Sequence, residues 1–228
     1  MLIQHNHRSI VLIGVVHYSK KSLLDVYYLI DSIQPDTVFV ELCNARTLIL
    51  KRLIRRAFLK NKTPLSEMSC AIIQARNNGC VLVSGDKHIN DFDFHCMLYG
   101  PTALRRGWNY WWRTDCATRH QHSLQLDNQN IIRDPIRAQT RNWTIFFRRY
   151  LPETYKELID DRDQWMFEKL QTCPGPTIVA VVGMAHMDGI QSRFVRIYGN
   201  YGPNVAFQKE IHNVIPHYFT QNKRALYL

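Results

Sequence analysis

Four short segments of the chain are almost wholly apolar and rich in β-branched residues, a pattern typical of strands. Their apolar residues run continuously instead of alternating with polar ones, which favours strands that are buried on both faces of a parallel sheet. The segments are SIVLIGVV (9–16), TVFVEL (37–42), CVLVSGD (80–86) and TIVAVVG (177–183).

Between these strands, apolar residues recur at helical spacing. The third of the resulting helices has Thr63 as its expected cap, Pro64 at its first position and Gly79 as its stop. Alternating strands and helices predict an α/β fold in which helices are layered on a mostly parallel sheet. We expect one domain over residues 10–200, an irregular helical and aromatic insertion around 92–150, and a C-terminal extension over 201–228. The predicted helices cover residues 20–33, 44–60, 63–78 and 152–172.

Composition adds expectations about the setting of the protein. The 228 residues suit one sizeable core. No apolar run has the length of a signal peptide or the roughly 20 residues of a transmembrane helix, so we expect neither. Six cysteines without a C-x-x-C pair favour reduced thiols and an intracellular, cytoplasmic protein.

The net charge of +10 is concentrated in two segments, 51–62 and 133–149. Such runs are most often the solvated face of a helix, but they also attract phosphates of nucleic acids or anionic lipids. The segment GWNYWWRTD (107–115) has aromatic and basic residues that suit stacking on single-stranded nucleic acid. A hydrophobic helix face or a lid over a pocket is the favoured interpretation, so nucleic acid is a disfavoured partner.

Each predicted strand is followed closely by an imidazole or a carboxylate. These side chains belong to His17, Glu41, Asp86 and His186. Because the carboxyl ends of parallel strands meet at one edge of a sheet, we expect the four side chains to converge there. Two histidines and a carboxylate are an ordinary ligand set for a catalytic divalent metal ion.

A glycine stands three residues before each histidine, at Gly14 and Gly183. We expect these glycines to allow a sharp turn at the strand end and a close approach of a ligand to the backbone. Separate structural roles are the alternative for both histidines, since a lone Gly-x-x-His is a weak pattern and a buried histidine commonly bonds a carbonyl group.

Two further charged groups leave alternatives open. Glu41 follows an apolar run, where carboxylates are seldom unpaired, and Arg46 is a nearby salt-bridge partner. In the helix over 152–172, Asp161, Arg162 and Asp163 form a charge cluster. Arg162 is suited to hold Glu41 or a substrate carboxylate, and an exposed cluster is the alternative.

In combination these motifs resemble the TraB family, whose animal extracellular branch is called TIKI. The family pattern of Gly-x-x-His, then Pro-Asp-x-Val-x-x-Glu-Leu-Cys-x-x-Arg, is similar to GVVHYSKKS and PDTVFVELCNAR here. VLVSGDKHI resembles the middle signature, DDRDQWM the late one, and VVGMAHMDGI the final Gly-x-x-His. The resemblance runs from about residue 10 to residue 194. Lys87 stands in place of an arginine and Asp161 in place of a glutamate, and both are further candidate site residues.

The resemblance implies an α/β fold and, by analogy with the TIKI branch, metal-dependent peptide hydrolysis with manganese or cobalt. His17, His186 and Glu41 would be ligands, Glu41 also a candidate general base, and Asp86 and Arg162 supporting groups. Intracellular animal relatives are associated with the mitochondrial outer membrane. Our first hypothesis is therefore an intracellular, metal-dependent hydrolase of peptides or proteins. The alternative is a non-catalytic adaptor at an anionic membrane surface, such as the mitochondrial outer membrane, that docks through the basic helix over 51–62.

Overall fold

The computed structural model describes residues 1–5, 7–17, 19–60, 66–88 and 135–198. One five-stranded sheet has the order β1-β2-β5-β3-β4, and every pair is parallel except β1 with β2. The predicted α/β class with a mostly parallel sheet is therefore confirmed. All four predicted strands are present, and the short antiparallel edge strand β1 was not predicted. The strands are β1 (Leu2–His5), β2 (Arg8–Val15), β3 (Thr37–Val40), β4 (Val81–Ser84) and β5 (Thr177–Gly183).

Seven α-helices flank the sheet in the described part of the chain. A π-helical turn, Lys156–Asp160, separates α5 from α6, and a 3-10 turn, Met184–His186, leads from β5 into α7. The helices are α1 (Lys20–Ile33), α2 (Asn44–Leu59), α3 (Glu67–Asn77), α4 (Pro135–Tyr150), α5 (Pro152–Tyr155), α6 (Asp161–Gln171) and α7 (Met187–Tyr198).

Two expectations about helices need correction. The cap of α3 is Ser66, whose side chain accepts from the Ser69 amide, and not Thr63. The single helix predicted over 152–172 is divided by the π-helical turn. The last part of the expected helical and aromatic insertion is the helix α4. Residues 92–134, including GWNYWWRTD, and the extension 201–228 lie outside the described residues.

The sheet has a hydrophobic core on each face because successive strand residues point to opposite sides. On one face, Leu12 and Ala180 pack with Phe167 of α6 and Phe194 of α7. On the other face, residues of β2, β3 and β5 pack against α1 and α3. Burial on both faces explains the continuous apolar strands of the sequence.

The register aligns the carboxyl ends of the four parallel strands. Val15 pairs with Gly183, and Val40 pairs with both Val181 and Ser84. The residues that follow these strands therefore leave the sheet at the same edge. This edge carries the candidate site.

The described residues add two further findings on the setting. No helix among them has the length and apolar character needed to cross a bilayer. Among the described residues, Cys43, Cys70, Cys80 and Cys173 form no disulfide bond.

Candidate active site

His17, Glu41 and His186 follow three neighbouring strands. β5, which leads to His186, lies between β2, which leads to His17, and β3, which leads to Glu41. The Glu41 amide donates to the Val181 carbonyl oxygen over 3.0 Å and so extends the pairing of β3 with β5 by one residue. Strand order thus brings together three side chains that are far apart in sequence.

His17 is held by a carboxylate on α3. Its Nδ1 lies 2.6 Å from Oε1 of Glu67, the buried first residue of that helix. The hydrogen bond to Glu67 raises the pKa of His17 above its usual value. The turn before α1 fixes the backbone here, because Ser22 Oγ accepts the Val16 amide over 2.9 Å and Ser19 caps α1.

His186 is held by a carboxylate on α6. Its Nδ1 lies 2.6 Å from Asp163 Oδ1, and its Nε2 lies 3.2 Å from Glu41 Oε1. The imidazole is 3% exposed. Burial alone would lower the pKa of His186, but the charge of Glu41 and the hydrogen bond to Asp163 raise it to about 9.

Asp163 occupies space that only a glycine on α7 leaves open. A Cβ placed on Gly189 would overlap Asp163 Oδ2 and would lie 2.6 Å from its Cγ. Asp163 Oδ2 is buried without a hydrogen-bond donor among the described residues, and the Arg193 guanidinium lies 3.8 Å away. The glycine thus permits the contact between Asp163 and His186.

Glu41 is buried and uses both carboxylate oxygens. Oε1 accepts from Arg162 Nη2, and Oε2 accepts from the Gly183 backbone amide. Burial alone would raise its pKa, but His186, Arg162 and the Gly183 amide hold the pKa of Glu41 well below its usual range. Glu41 is therefore a carboxylate that is fixed in position between the two histidine-bearing turns.

Behind Glu41, Arg162 and Asp86 form a bidentate pair. Arg162 Nε donates to Asp86 Oδ1 over 3.0 Å and Nη2 to Oδ2 over 2.8 Å, while Nη1 donates to the Leu158 carbonyl oxygen. Arg46 also donates to Asp86 Oδ2. The alternative of a salt bridge between Arg46 and Glu41 is thus wrong, because Arg46 pairs with Asp86.

The two positions that depart from the resembled pattern contribute less than expected. Lys87 has an exposed side chain, and only its backbone amide reaches Asp86, over 2.8 Å. From the start of α6, Asp163 and not Asp161 supplies the carboxylate at the site, since Asp163 contacts His186. Asp161 is half-buried and lies two residues away along the helix.

The strand-end glycines have a different role from the predicted sharp turn. Gly183 has φ −58° and ψ 144°, which most residues adopt. A Cβ there would lie 2.9 Å from Glu41 Oε2 and 3.5 Å from His17 Nε2, so glycine leaves room for these two groups. A Cβ on Gly14 would lie 2.8 Å from Met184 Sδ, so this glycine lets β2 pack closely against the turn before His186.

The three groups border a cavity of about 380 Å³, and their chemistry fits a divalent metal ion. A metal-binding histidine commonly has its other ring nitrogen held by a carboxylate, and both histidines have this support from Glu67 and Asp163. Within the described ranges, no three His, Cys, Asp or Glu side chains are placed as a ready-made ion site. His186 Nε2 instead contacts Glu41.

Sequence reasoning missed Glu67 and left Asp163 without a role. Glu67 looks like an ordinary acidic residue in the first turn of a helix, which the helix dipole favours. The sequence did contain a signal, which is the position of each carboxylate relative to the apolar residues of its helix. Glu67 precedes the apolar stretch of α3, and Asp163 lies on the side of α6 that carries the buried Met166 and Phe167.

A second cavity, of about 390 Å³, lies beside Asp86. Cys43 and His88 line it, and Cys43 Sγ is 3.5 Å from His88 Nδ1. Burial alone would raise the pKa of the Cys43 thiol, but the Arg46 backbone amide, His88 and the Arg46 side chain lower it to about 7. Burial raises the pKa of Cys70 to about 12.

Comparison with known proteins finds a distant relative but no family assignment. No family model matches the chain. The uncharacterized protein MJ1365 of Methanocaldococcus jannaschii is 26% identical over 216 residues, which cover 81% of this chain and 53% of that protein. The chain thus spans about half the length of the curated relative that it matches.

Proposed function

We propose that this protein is a metal-dependent hydrolase that acts on peptide bonds, in line with its resemblance to the TraB and TIKI proteins. The observation that carries the proposal is the matched anchoring of two imidazoles at one edge of the sheet. Glu67 holds Nδ1 of His17, and Asp163 holds Nδ1 of His186, each at 2.6 Å. Each histidine therefore keeps Nε2 for the cavity where Glu41 lies.

In this proposal, His17 and His186 hold the ion through Nε2, and Glu41 is the third ligand or the general base. A divalent ion such as manganese or cobalt would supply Lewis acidity and acidify a water molecule. Arg162 keeps Glu41 oriented toward the cavity, and Asp86 keeps Arg162 in place by its two hydrogen bonds.

Calorimetric titration tests the proposal directly. We expect the protein to bind Mn²⁺, Co²⁺ or Zn²⁺, and His17→Ala and His186→Ala to weaken binding at least about 100-fold through loss of a ligand. His88→Ala is the matched control, because His88 is exposed and lies at the other cavity. Incubation of the loaded protein with a peptide library, with and without a chelator, then tests hydrolysis by mass spectrometry.

Two results would overturn the proposal. One is wild-type protein that binds none of the three ions at millimolar concentration. The other is ion binding that both histidine variants retain at full strength. Ion binding without any peptide cleavage would limit the site to a metal-binding role.

The exposed surface of α2 favours a second candidate function, peripheral docking on an anionic membrane. The helix has five cationic residues and no acidic residue. Between the cations, several large apolar side chains are exposed, a combination that suits helices lying at a lipid surface. These side chains are Leu48, Ile49, Leu53, Phe58 and Leu59, each more than half exposed.

Vesicle sedimentation tests this second function. We expect binding to vesicles with phosphatidylserine but not to pure phosphatidylcholine, and weaker binding at high salt. Leu59→Ser should reduce sedimentation, whereas Ile197→Ser, at an exposed apolar position of α7, should not. Equal sedimentation of both variants with the wild type, or no sedimentation at any ionic strength, would exclude docking through α2.

A further inference from the structure

The cavity beside the two histidines has one polar wall and otherwise apolar walls. His17, Glu41, Arg162 and His186 form the polar wall. Its volume of about 380 Å³ lies at the lower end of the range of about 300–1,000 Å³ for ligand sites. A cavity of this size suits one side chain and its flanking backbone. The apolar walls include Val16, Phe147, Leu158, Ile159 and Met184.

The charged groups of this cavity already have ionic partners. Arg162 is paired with Glu41 and Asp86, and His186 contacts Glu41. His17 is paired with Glu67, and the remaining lining side chains are apolar or, at Thr140 and Thr154, uncharged. A charged substrate side chain would therefore lose its hydration without gaining an ionic partner, which is strongly unfavourable. An apolar side chain would gain contact area at no such cost.

The wall that faces the histidines comes from α4 and is fixed to the rest of the fold. Arg137 and Arg141 of α4 both donate to the carboxylate of Asp188 on α7. Within α4, the ring of Phe147 stacks on Trp143 with a centroid distance of 5.6 Å. These contacts hold Phe147 at the cavity, so its ring shapes the space that a ligand meets.

We propose that this cavity binds an apolar side chain of a peptide substrate next to the bond that is hydrolysed, with Phe147 as the residue that determines this specificity. The inference rests on the proposed hydrolase function and adds the class of substrate. Backbone groups of the peptide would then face the polar wall, where the two histidines and Glu41 lie.

Binding of capped pentapeptides tests the inference separately from hydrolysis. The peptides have an alanine background and carry Leu, Phe, Asp or Lys at the centre, and calorimetry measures their affinity for the metal-free protein. We expect the Leu and Phe peptides to bind at least about 10-fold more tightly than the Asp and Lys peptides. Phe147→Ala should weaken binding of the Phe peptide about 10-fold, as for an aromatic contact at the centre of an interface.

Two further variants make the assignment to Phe147 specific. Phe147→Arg should reverse the preference, so that the Asp peptide binds more tightly than the Leu peptide. Phe146→Ala is the matched control, because Phe146 is in the same aromatic cluster but does not line the cavity. Urea unfolding of each variant verifies that it is folded at the temperature of the titration.

The outcomes separate the two proposals. Three results would overturn the inference. The first is equal affinity for the Leu and Asp peptides, and the second is no peptide binding at millimolar concentration. The third is a Phe147→Arg protein that still prefers apolar peptides. A different result is that apolar peptides bind with the expected preference and stay intact after Mn²⁺ is added. That result would refute the hydrolase function, while the assignment of the cavity as a binding site for apolar side chains would stand.

Discussion

The substitution Gly189→Ala is expected to destabilise the protein, although alanine is the better helix former. On helix propensity alone, the change in α7 would stabilise by about 0.5–1 kcal/mol. The new Cβ would overlap Asp163 Oδ2, however, and Asp163 is fully buried with its other oxygen bonded to His186. A shift of the carboxylate away from the new Cβ would therefore strain or break its hydrogen bond to His186.

The size of this destabilisation follows from the two ways in which the protein can relieve the overlap between the new Cβ and Asp163. Shifting packed groups in a core costs about 1–3 kcal/mol. Moving Asp163 away from His186 loses a charge-assisted hydrogen bond of about 1.5–3 kcal/mol. After the gain in helix propensity is subtracted, we expect Gly189→Ala to lower the free energy of unfolding by about 0.5–2.5 kcal/mol.

Urea unfolding followed by circular dichroism measures this change, and a double-mutant cycle identifies its cause. In an Asp163→Ala background the overlapping atoms are absent, so Gly189→Ala should be neutral or slightly stabilising there. Ser192→Ala, on the exposed face of α7, controls for a change within the same helix and should stay within about 0.5 kcal/mol of the wild type. The reasoning is refuted if Gly189→Ala is as stable as the wild type, or if its cost is the same with Ala at position 163.

Two more predictions concern the groups around the site. Glu67→Gln should weaken Mn²⁺ binding about 10- to 100-fold, as is usual for a carboxylate that orients a metal-binding histidine. Glu157→Gln is the control and should leave the affinity unchanged, because Glu157 is exposed on the π-helical turn. Equal affinities of the two variants by calorimetry would contradict this role of Glu67. Both thiols are buried, so the thiolate fraction is the main difference between them. Alkylation with iodoacetamide at pH 8 should therefore modify Cys43 faster than Cys70, because a thiol with a pKa of about 7 is mostly thiolate at that pH and one with a pKa of about 12 is not. The rate at Cys43 should rise through pH 7 and level off above pH 8, and peptide mapping that finds equal rates at both thiols would contradict the prediction.

Much of the fold was predictable because local pattern and tertiary environment agree. The segment TIVAVVG is β5 with the predicted bounds, and α1 covers the predicted residues. Strand β1 was missed because an edge strand of four residues is half-buried and carries no continuous apolar run. The start of α3 was misplaced because Thr63 with Pro64 resembles a helix start as strongly as Ser66, and a local signal does not decide between the two.

The site was predictable only in part, for reasons that differ among its residues. The histidines and Glu41 follow recognisable strands, so parallel topology alone brings them to one edge. Proximity in sequence suggested Arg46 only as an alternative partner of Glu41, whereas the group that accepts a hydrogen bond from Arg46 is Asp86, forty residues away. Glu67 and Asp163 gain their roles through helix packing, which periodicity does not specify.

By itself, the sequence determined the α/β class, the positions of the parallel strands and the residues that end them. Burial on both faces makes the residues of such a strand continuously apolar, and this pattern is recognisable without knowledge of the neighbouring strands. The tertiary structure alone decided that β5 lies between β2 and β3, and that a carboxylate from α3 and one from α6 hold the two imidazoles. It also decided that Gly183 and Gly189 leave room for neighbouring carboxylates and do not serve to make a turn. Such contacts depend on distances between segments far apart in the chain, and only packing of the whole core sets those distances.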